Sequence, residues 1–174
     1  MTEKEFFNTV LNGSEDVLQL FLEAVSSAAG VGYCVIGGLA VNAYAEPVVS
    51  LDLDVVVTAE DIERVCKVIE GHFRVERFTH SVSLSSGKSS LRIQLQTDAR
   101  YLDFIGRAST HTVLGYKMRV ASLEDVLQGK IWAYLDEDRR KSKRQKDLAD
   151  IARLVEAFPC LAERLPEEIR KILQ

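Results

Sequence analysis

The segment Ser50-Leu51-Asp52-Leu53-Asp54-Val55-Val56-Val57 constrains this chain more than any other. Side chains alternate across a strand, so Ser50, Asp52, Asp54 and Val56 share one face, and Leu51, Leu53, Val55 and Val57 share an apolar one. Two carboxylates two residues apart on one face lie roughly 7 Å from each other and repel. On a half-buried strand that arrangement costs stability unless a cation sits between them. Oxygen-only ligands of this kind suit a hard ion such as Mg²⁺ or Mn²⁺. A solvent-facing acidic strand edge gives the same pattern, so the pair needs support from elsewhere in the chain.

Bulk features narrow the field. A chain of 174 residues argues for a single domain with a sizeable core. A hydrophobic content of 47% with 28% charged residues excludes a disordered or low-complexity chain. The 22 basic and 26 acidic side chains give a net charge of −4, which on its own argues against a nucleic-acid partner. The charge is unevenly placed. Residues 1–120 carry 11 basic and 15 acidic side chains, residues 121–174 carry 11 of each, and six of the latter cations fall within Arg139–Lys146. Cys34, Cys66 and Cys160 lie far apart and read as buried free thiols, and His72, His80 and His111 form no zinc-type spacing. Met1–Asn8 has no apolar run of the signal-peptide kind. The longest uncharged stretch, Ala24–Ala45, holds four glycines and reads as a helix end, a buried strand and a turn rather than a membrane span. These features predict a cytoplasmic protein with no membrane partner.

The periodicity predicts a mixed α+β order. Ser14 caps a helix carrying Val17, Leu18, Phe21, Leu22 and Val25 at helical spacing. Tyr33–Ile36 is a short apolar strand, and Gly37-Gly38 turns into a small-residue helix, Leu39–Ala45, ahead of Pro47. Thr58 starts a helix from Ala59 to about Glu70, which Gly71 stops. His72–Arg77, Ser81–Ser85, Leu91–Gln96 and Tyr101–Gly106 read as strands. Ser122 caps a long helix with Asp125 as a capping-box partner, and helices follow over about Lys146–Phe158 and Glu163–Leu173. The expectation is a sheet of about five mixed strands (residues 1–120) under a helical cap (residues 121–174), together one compact domain.

Two further features stand with the acid pair. Tyr101-Leu102-Asp103-Phe104-Ile105 places one carboxylate inside an apolar run, where an ionised group needs a partner. That partner is either the local backbone or a metal shared with Asp52 and Asp54; three such acids could hold two ions. Thirteen residues separate Gly37-Gly38 from Asp52, and glycines at a strand-to-helix turn let backbone approach a phosphate closely. Tight packing alone also explains a diglycine.

The order of these elements resembles the DNA polymerase β-like nucleotidyltransferase superfamily. Val35-Ile36-Gly37-Gly38-Leu39-Ala40 and Ser50-Leu51-Asp52-Leu53-Asp54 are similar to its bacterial branch of AbiEii-type toxins and related small nucleotidyltransferases. Ser122–Lys130 resembles the helix that presents a lysine in that branch, and Lys146-Asp147-Leu148-Ala149-Asp150-Ile151 resembles its later basic-Asp-x-x-Asp segment. The likeness spans about Tyr33–Leu154. Independently of it, Lys130 falls on the stripe of Leu123, Val126, Leu127, Ile131 and Tyr134, where a lysine is unexpected and would snorkel its ammonium to water; the resemblance implies instead that it reaches a triphosphate or a strand carboxylate. Asp147 shares a helix face with Ile151 and Leu154. Two positions depart from the branch: Val48 stands where a basic residue is common, and Lys146 where arginine is usual.

The resemblance implies Mg²⁺- or Mn²⁺-dependent transfer of a nucleoside monophosphate from an NTP to a hydroxyl on RNA, protein or a small molecule such as an antibiotic. Asp52, Asp54 and Asp103 would hold metal, with Asp103 on the acceptor side. Gly37, Gly38 and Ser50 would meet phosphate, Lys130 would neutralise the leaving pyrophosphate, and Asp147 would orient Lys130 or the nucleotide. The run Arg139, Arg140, Lys141, Lys143, Arg144 and Lys146 is either a solvated face or a dock for a phosphate-rich acceptor. A toxin of this branch would have a cognate antitoxin. The rival expectations are a non-catalytic partner-binding protein that keeps the fold, and a metal-dependent phosphohydrolase.

Overall fold

The computed structural model describes residues 1–174. A seven-stranded mixed sheet forms its centre, in the order β3-β4-β5-β2-β1-β7-β6. Strand β1 is Tyr33–Ile36 and β2 is Asp52–Val57, paired antiparallel so that Ile36 faces Asp54. Strands β3 (Arg74–Arg77), β4 (Ser81–Ser86) and β5 (Ser89–Gln96) form a meander, and β5 joins β2 in parallel. Strands β6 (Ser109–Val113) and β7 (Tyr116–Val120) form a hairpin that attaches to β1.

The helices cover this sheet where their apolar faces require it. Helix α2 (Val17–Ser27) buries Val17, Leu18, Phe21, Leu22 and Val25, the five positions its spacing predicts, against β5 and α4 (Ile62–Ile69). Its cap is Asp16 rather than Ser14: Asp16 Oδ1 accepts from the Gln19 amide at 3.0 Å. Helix α3 is short, Gly37–Val41 rather than Leu39–Ala45. The helices α6 (Leu123–Leu135) and α7 (Lys141–Ala157) pack on each other and on α3, and α8 (Glu167–Leu173) ends the chain. Ser122 caps α6 as expected, but the Asp125 carboxylate turns away from the cap and pairs with Arg107 at 2.8 Å.

Three further expectations need correction, and one helix lies outside them. The sheet has seven strands instead of about five, because the β6–β7 hairpin also belongs to it. Tyr101–Gly106 is not a strand: a 3₁₀ turn over Ala99–Tyr101 leads into helix α5, Leu102–Arg107. Tyr101 and Phe104, three apart, turn inward together and meet Trp132. That helical spacing leaves Asp103 on the outside. The charged N-terminus also forms a helix, α1 (Glu3–Val10), through a Thr2–Glu5 capping box that buries Phe7 against Tyr116. Finally, Cys34 and Cys66 are buried as expected, but Cys160 is exposed. No helix is long and apolar enough to cross a membrane.

Candidate active site

The cleft opens where β1 ends and β2 begins. Gly37, the first residue after β1, has φ = +74°, a conformation open to glycine and strained for other residues. A Cβ there would overlap Asp54 Oδ2, so the turn and the acid are packed as one unit. Gly38 is roomier, its added Cβ falling 3.7 Å from Ser50 Oγ and 3.8 Å from Asp150 Oδ2. Ser50 tightens the start of β2: its hydroxyl accepts from the Asp52 amide and donates to the Asp52 carbonyl, both at 3.2 Å.

Alternation along β2 puts Asp52 and Asp54 into a cavity of about 460 Å³ that Gly38, Ser50, Lys130, Asp147 and Asp150 also line. The two acids meet opposite environments. Asp52 pairs with Lys143 Nζ at 2.8 Å and Arg92 Nε at 2.9 Å. Burial pushes its carboxyl up, but the Lys143 hydrogen bond and the charges of Lys143, Arg92 and Lys146 outweigh that and hold it below the usual carboxylate range. Asp54 has no direct cation partner. Burial dominates and raises its carboxyl, with Lys130 only partly opposing and Asp52 adding to the rise.

Beneath the acids lies a buried charge network from α6 and α7. Lys130, 7% exposed, reaches Asp147 Oδ1 at 3.0 Å and Asp150 Oδ2 at 2.8 Å. Each of those carboxylates takes an arginine as well: Arg139 Nε at 2.6 Å from Asp147, and an Arg153 guanidinium nitrogen at 2.7 Å from Asp150. Burial works against the Lys130 charge, but Asp150 and Asp147 more than offset it and raise its pKa. Arg153 also donates to Asn42 Oδ1 and to the Glu46 carbonyl, and Asn42 in turn brackets the Val48 backbone. The segment leading into β2 is thereby tied to α7. Val48 itself is 53% exposed at the cleft, with no basic side chain at this position.

The structure therefore brings together Asp52, Asp54, Gly37, Gly38, Ser50, Lys130 and Asp147. It does not bring Asp103 to them. That residue is exposed on α5 and does not line the cavity. The basic run divides. Arg139, Lys143 and Lys146 line the cleft, Arg144 donates to the Tyr134 carbonyl at 2.6 Å, and Arg140 and Lys141 are exposed. Sequence reasoning quoted Asp150 only as the second acid of the basic-Asp-x-x-Asp segment, without a role, and missed Arg153 and the pairing of Arg92 with Asp52. Asp147 and Asp150 stand three apart, on one helix face, which is the signal that marks Asp150.

The whole cavity holds six cations and five acids within a chain of net charge −4, a lining suited to a polyphosphate. As for a metal ion, Asp52 and Asp54 supply two hard oxygen ligands, which fits an ion that takes its remaining ligands from substrate phosphates. Nowhere do three acidic, histidine or cysteine side chains converge as a protein-only metal site.

Comparison with solved structures places this architecture among nucleotidyltransferases. ANT(2″)-Ia in complex with adenylyl-2″-tobramycin superposes with a TM-score of 0.61 at 18% identity, covering 90% of this chain and 94% of that one. The lincosamide antibiotic adenylyltransferase LnuA, bound to lincomycin, gives 0.56 at 13% identity over 82% and 99% of the two chains. An antigenic nucleotidyltransferase-like protein from Paracoccidioides brasiliensis gives 0.54 at 17% identity over 98% and 94%. No curated protein matches the sequence. The sequence profile of the nucleotidyl transferase AbiEii toxin family, type IV toxin–antitoxin systems, matches residues 21–174. With that profile spanning α2 to the last residue, and the acid pair, the diglycine turn and Lys130 all inside it, the chain belongs to the AbiEii family of nucleotidyltransferase enzymes.

Proposed function

We propose that this enzyme transfers a nucleoside monophosphate from an NTP to a hydroxyl acceptor with the help of Mg²⁺ or Mn²⁺. The observation that carries the reading is the convergence of Asp52 and Asp54 with the Gly37-Gly38 turn and a cation-rich wall in one cavity. A divalent ion bound with the nucleotide would neutralise phosphate charge and hold the triphosphate in line with the acceptor. Asp52 and Asp54 would ligate it. Gly38 leaves room for a phosphate oxygen near Ser50. Lys143 and Lys146 face the triphosphate, and Lys130, fixed by Asp147 and Asp150, keeps a positive charge below Asp54 as negative charge builds on the leaving pyrophosphate. In this reading residues 121–174 form a cap that brings Lys130 and Asp147 to a catalytic core in residues 1–120.

Three of the six cations in the basic run point into the cleft, which favours the NTP as their partner over a long polynucleotide. The acceptor reading splits accordingly. A small molecule fits a cleft of about 460 Å³ and the antibiotic-modifying neighbours, and a macromolecule fits the toxin family, in which case an antitoxin is the expected partner. An NTP donor puts the enzyme in the cytoplasm. The test is incubation with each α-labelled NTP, Mg²⁺, and separate pools of RNA, protein and small molecules. Label on one pool, dependent on Mg²⁺, is the expected result; NTP breakdown without any labelled acceptor contradicts it. If RNA is the acceptor, its binding should weaken steeply with salt.

A further inference from the structure

Parallel pairing of β2 with β5 sets Arg92 opposite Asp52 and Gln94 opposite Asp54. Both lie on the cleft face beside the acid pair. A carboxylate at either position would reach ions held by Asp52 and Asp54; this chain has a cation and a neutral amide there instead. The remaining acids of the cavity are engaged elsewhere. Asp147 and Asp150 hold Lys130, Arg139 and Arg153, and Glu76, out on the edge strand β3, pairs with Arg74 at 3.0 Å. A second divalent ion beside Asp52 would also meet Arg92 and Lys143, which already stand 2.9 and 2.8 Å from that carboxylate.

We infer that the working site holds one divalent ion, shared by Asp52, Asp54 and the triphosphate, and that Arg92 takes the place of a second ion on the acceptor side. This rests on the nucleotidyl-transfer reading above. The Arg92 side chain is 65% exposed, so it is free to swing from Asp52 to a phosphate oxygen, and its planar fork suits that oxygen pair. In the transfer, the acceptor oxygen bonds to the α-phosphorus. The bond from the α-phosphorus to the bridging oxygen breaks, and pyrophosphate departs with that electron pair. The acceptor proton passes to solvent, because Gln94 offers no carboxylate to receive it.

The test counts ions. The full chain is titrated with Mn²⁺ in the presence of each α,β-methylene NTP analogue in turn, and bound Mn²⁺ is read by electron paramagnetic resonance. One Mn²⁺ per bound analogue is expected, and two overturns the inference. A chain that binds neither analogue nor ion defeats the nucleotidyl-transfer reading itself. Gln94→Asp places an acid on β5 opposite Asp54 and is expected to raise the count to two; a count that stays at one overturns the role given to the β5 face. Arg92→Gln is expected to keep one ion while slowing transfer about 10²-fold. An unchanged rate removes Arg92 from the acceptor side.

Discussion

Lys143 Nζ lies 2.8 Å from Asp52 Oδ2, joining α7 to the start of β2 across 91 positions of sequence. Helix and strand thus share one end of the cleft, and the Lys143 contact helps hold the Asp52 carboxyl below the usual carboxylate range. Asp52→Asn should cut transfer by about 10²–10³-fold or more. Its partners are partly exposed, so the loss of stability should stay within about 1 kcal/mol. Parallel activity assays and urea melts check both halves.

Asp54 is the opposite case. A carboxyl whose folded pKa is raised binds its proton more tightly in the folded state. Stability therefore falls as pH rises from the ordinary carboxylate value through the raised one. Asp54→Asn removes an unpaired, desolvated charge. We expect a gain of about 1 kcal/mol at neutral pH, or about 2–4 °C in Tm, together with loss of transfer. Thermal melts of both proteins from pH 4 to 8 should converge at the acid end. Metal–nucleotide affinity of the wild type should rise with pH over the same window, because only ionised Asp54 can ligate.

The two glycines should separate in their effects. Gly37→Ala adds a Cβ at positive φ that collides with Asp54, so we expect a cost of about 1–3 kcal/mol and loss of transfer. Gly38→Ala meets nothing closer than 3.7 Å and improves helix propensity, so folding should hold or improve while NTP affinity falls. Denaturant melts with nucleotide titrations distinguish the pair.

Lys130→Met leaves Asp147 and Asp150 buried, each with only its arginine. Breaking a buried pair costs about 3–5 kcal/mol, and the surviving Arg139 and Arg153 contacts place this variant near the lower figure. The raised pKa of Lys130 means that its contribution is complete below the ordinary lysine value and fades as pH climbs through the raised one. Urea melts at neutral and strongly alkaline pH should show the difference between wild type and variant shrinking.

Much of the site is legible in sequence because period-two alternation fixes which acids share a face. Asp52 and Asp54 followed from that alternation, and Lys130 from a lysine standing on an apolar helical stripe. The strand expected around Asp103 failed because five residues with four apolar side chains fit a short strand and a short helix equally well. Here Tyr101 and Phe104, packing on Trp132, decide for the helix. The β6–β7 hairpin was hidden by its turn, where Leu114 sits at φ = +49° before Gly115 at +80°, although leucine is an uncommon residue for that conformation. The Arg92–Asp52 contact depends on the parallel β2–β5 register, which no local spacing encodes.

The most direct test compares α-labelled with γ-labelled NTP, offered with Mg²⁺ and acceptor pools to wild type and Asp52→Asn. Acceptor labelling is expected from the α position only, matched by released pyrophosphate and lost in the variant. Labelling from the γ position, or equal transfer by Asp52→Asn, would contradict nucleotidyl transfer through Asp52.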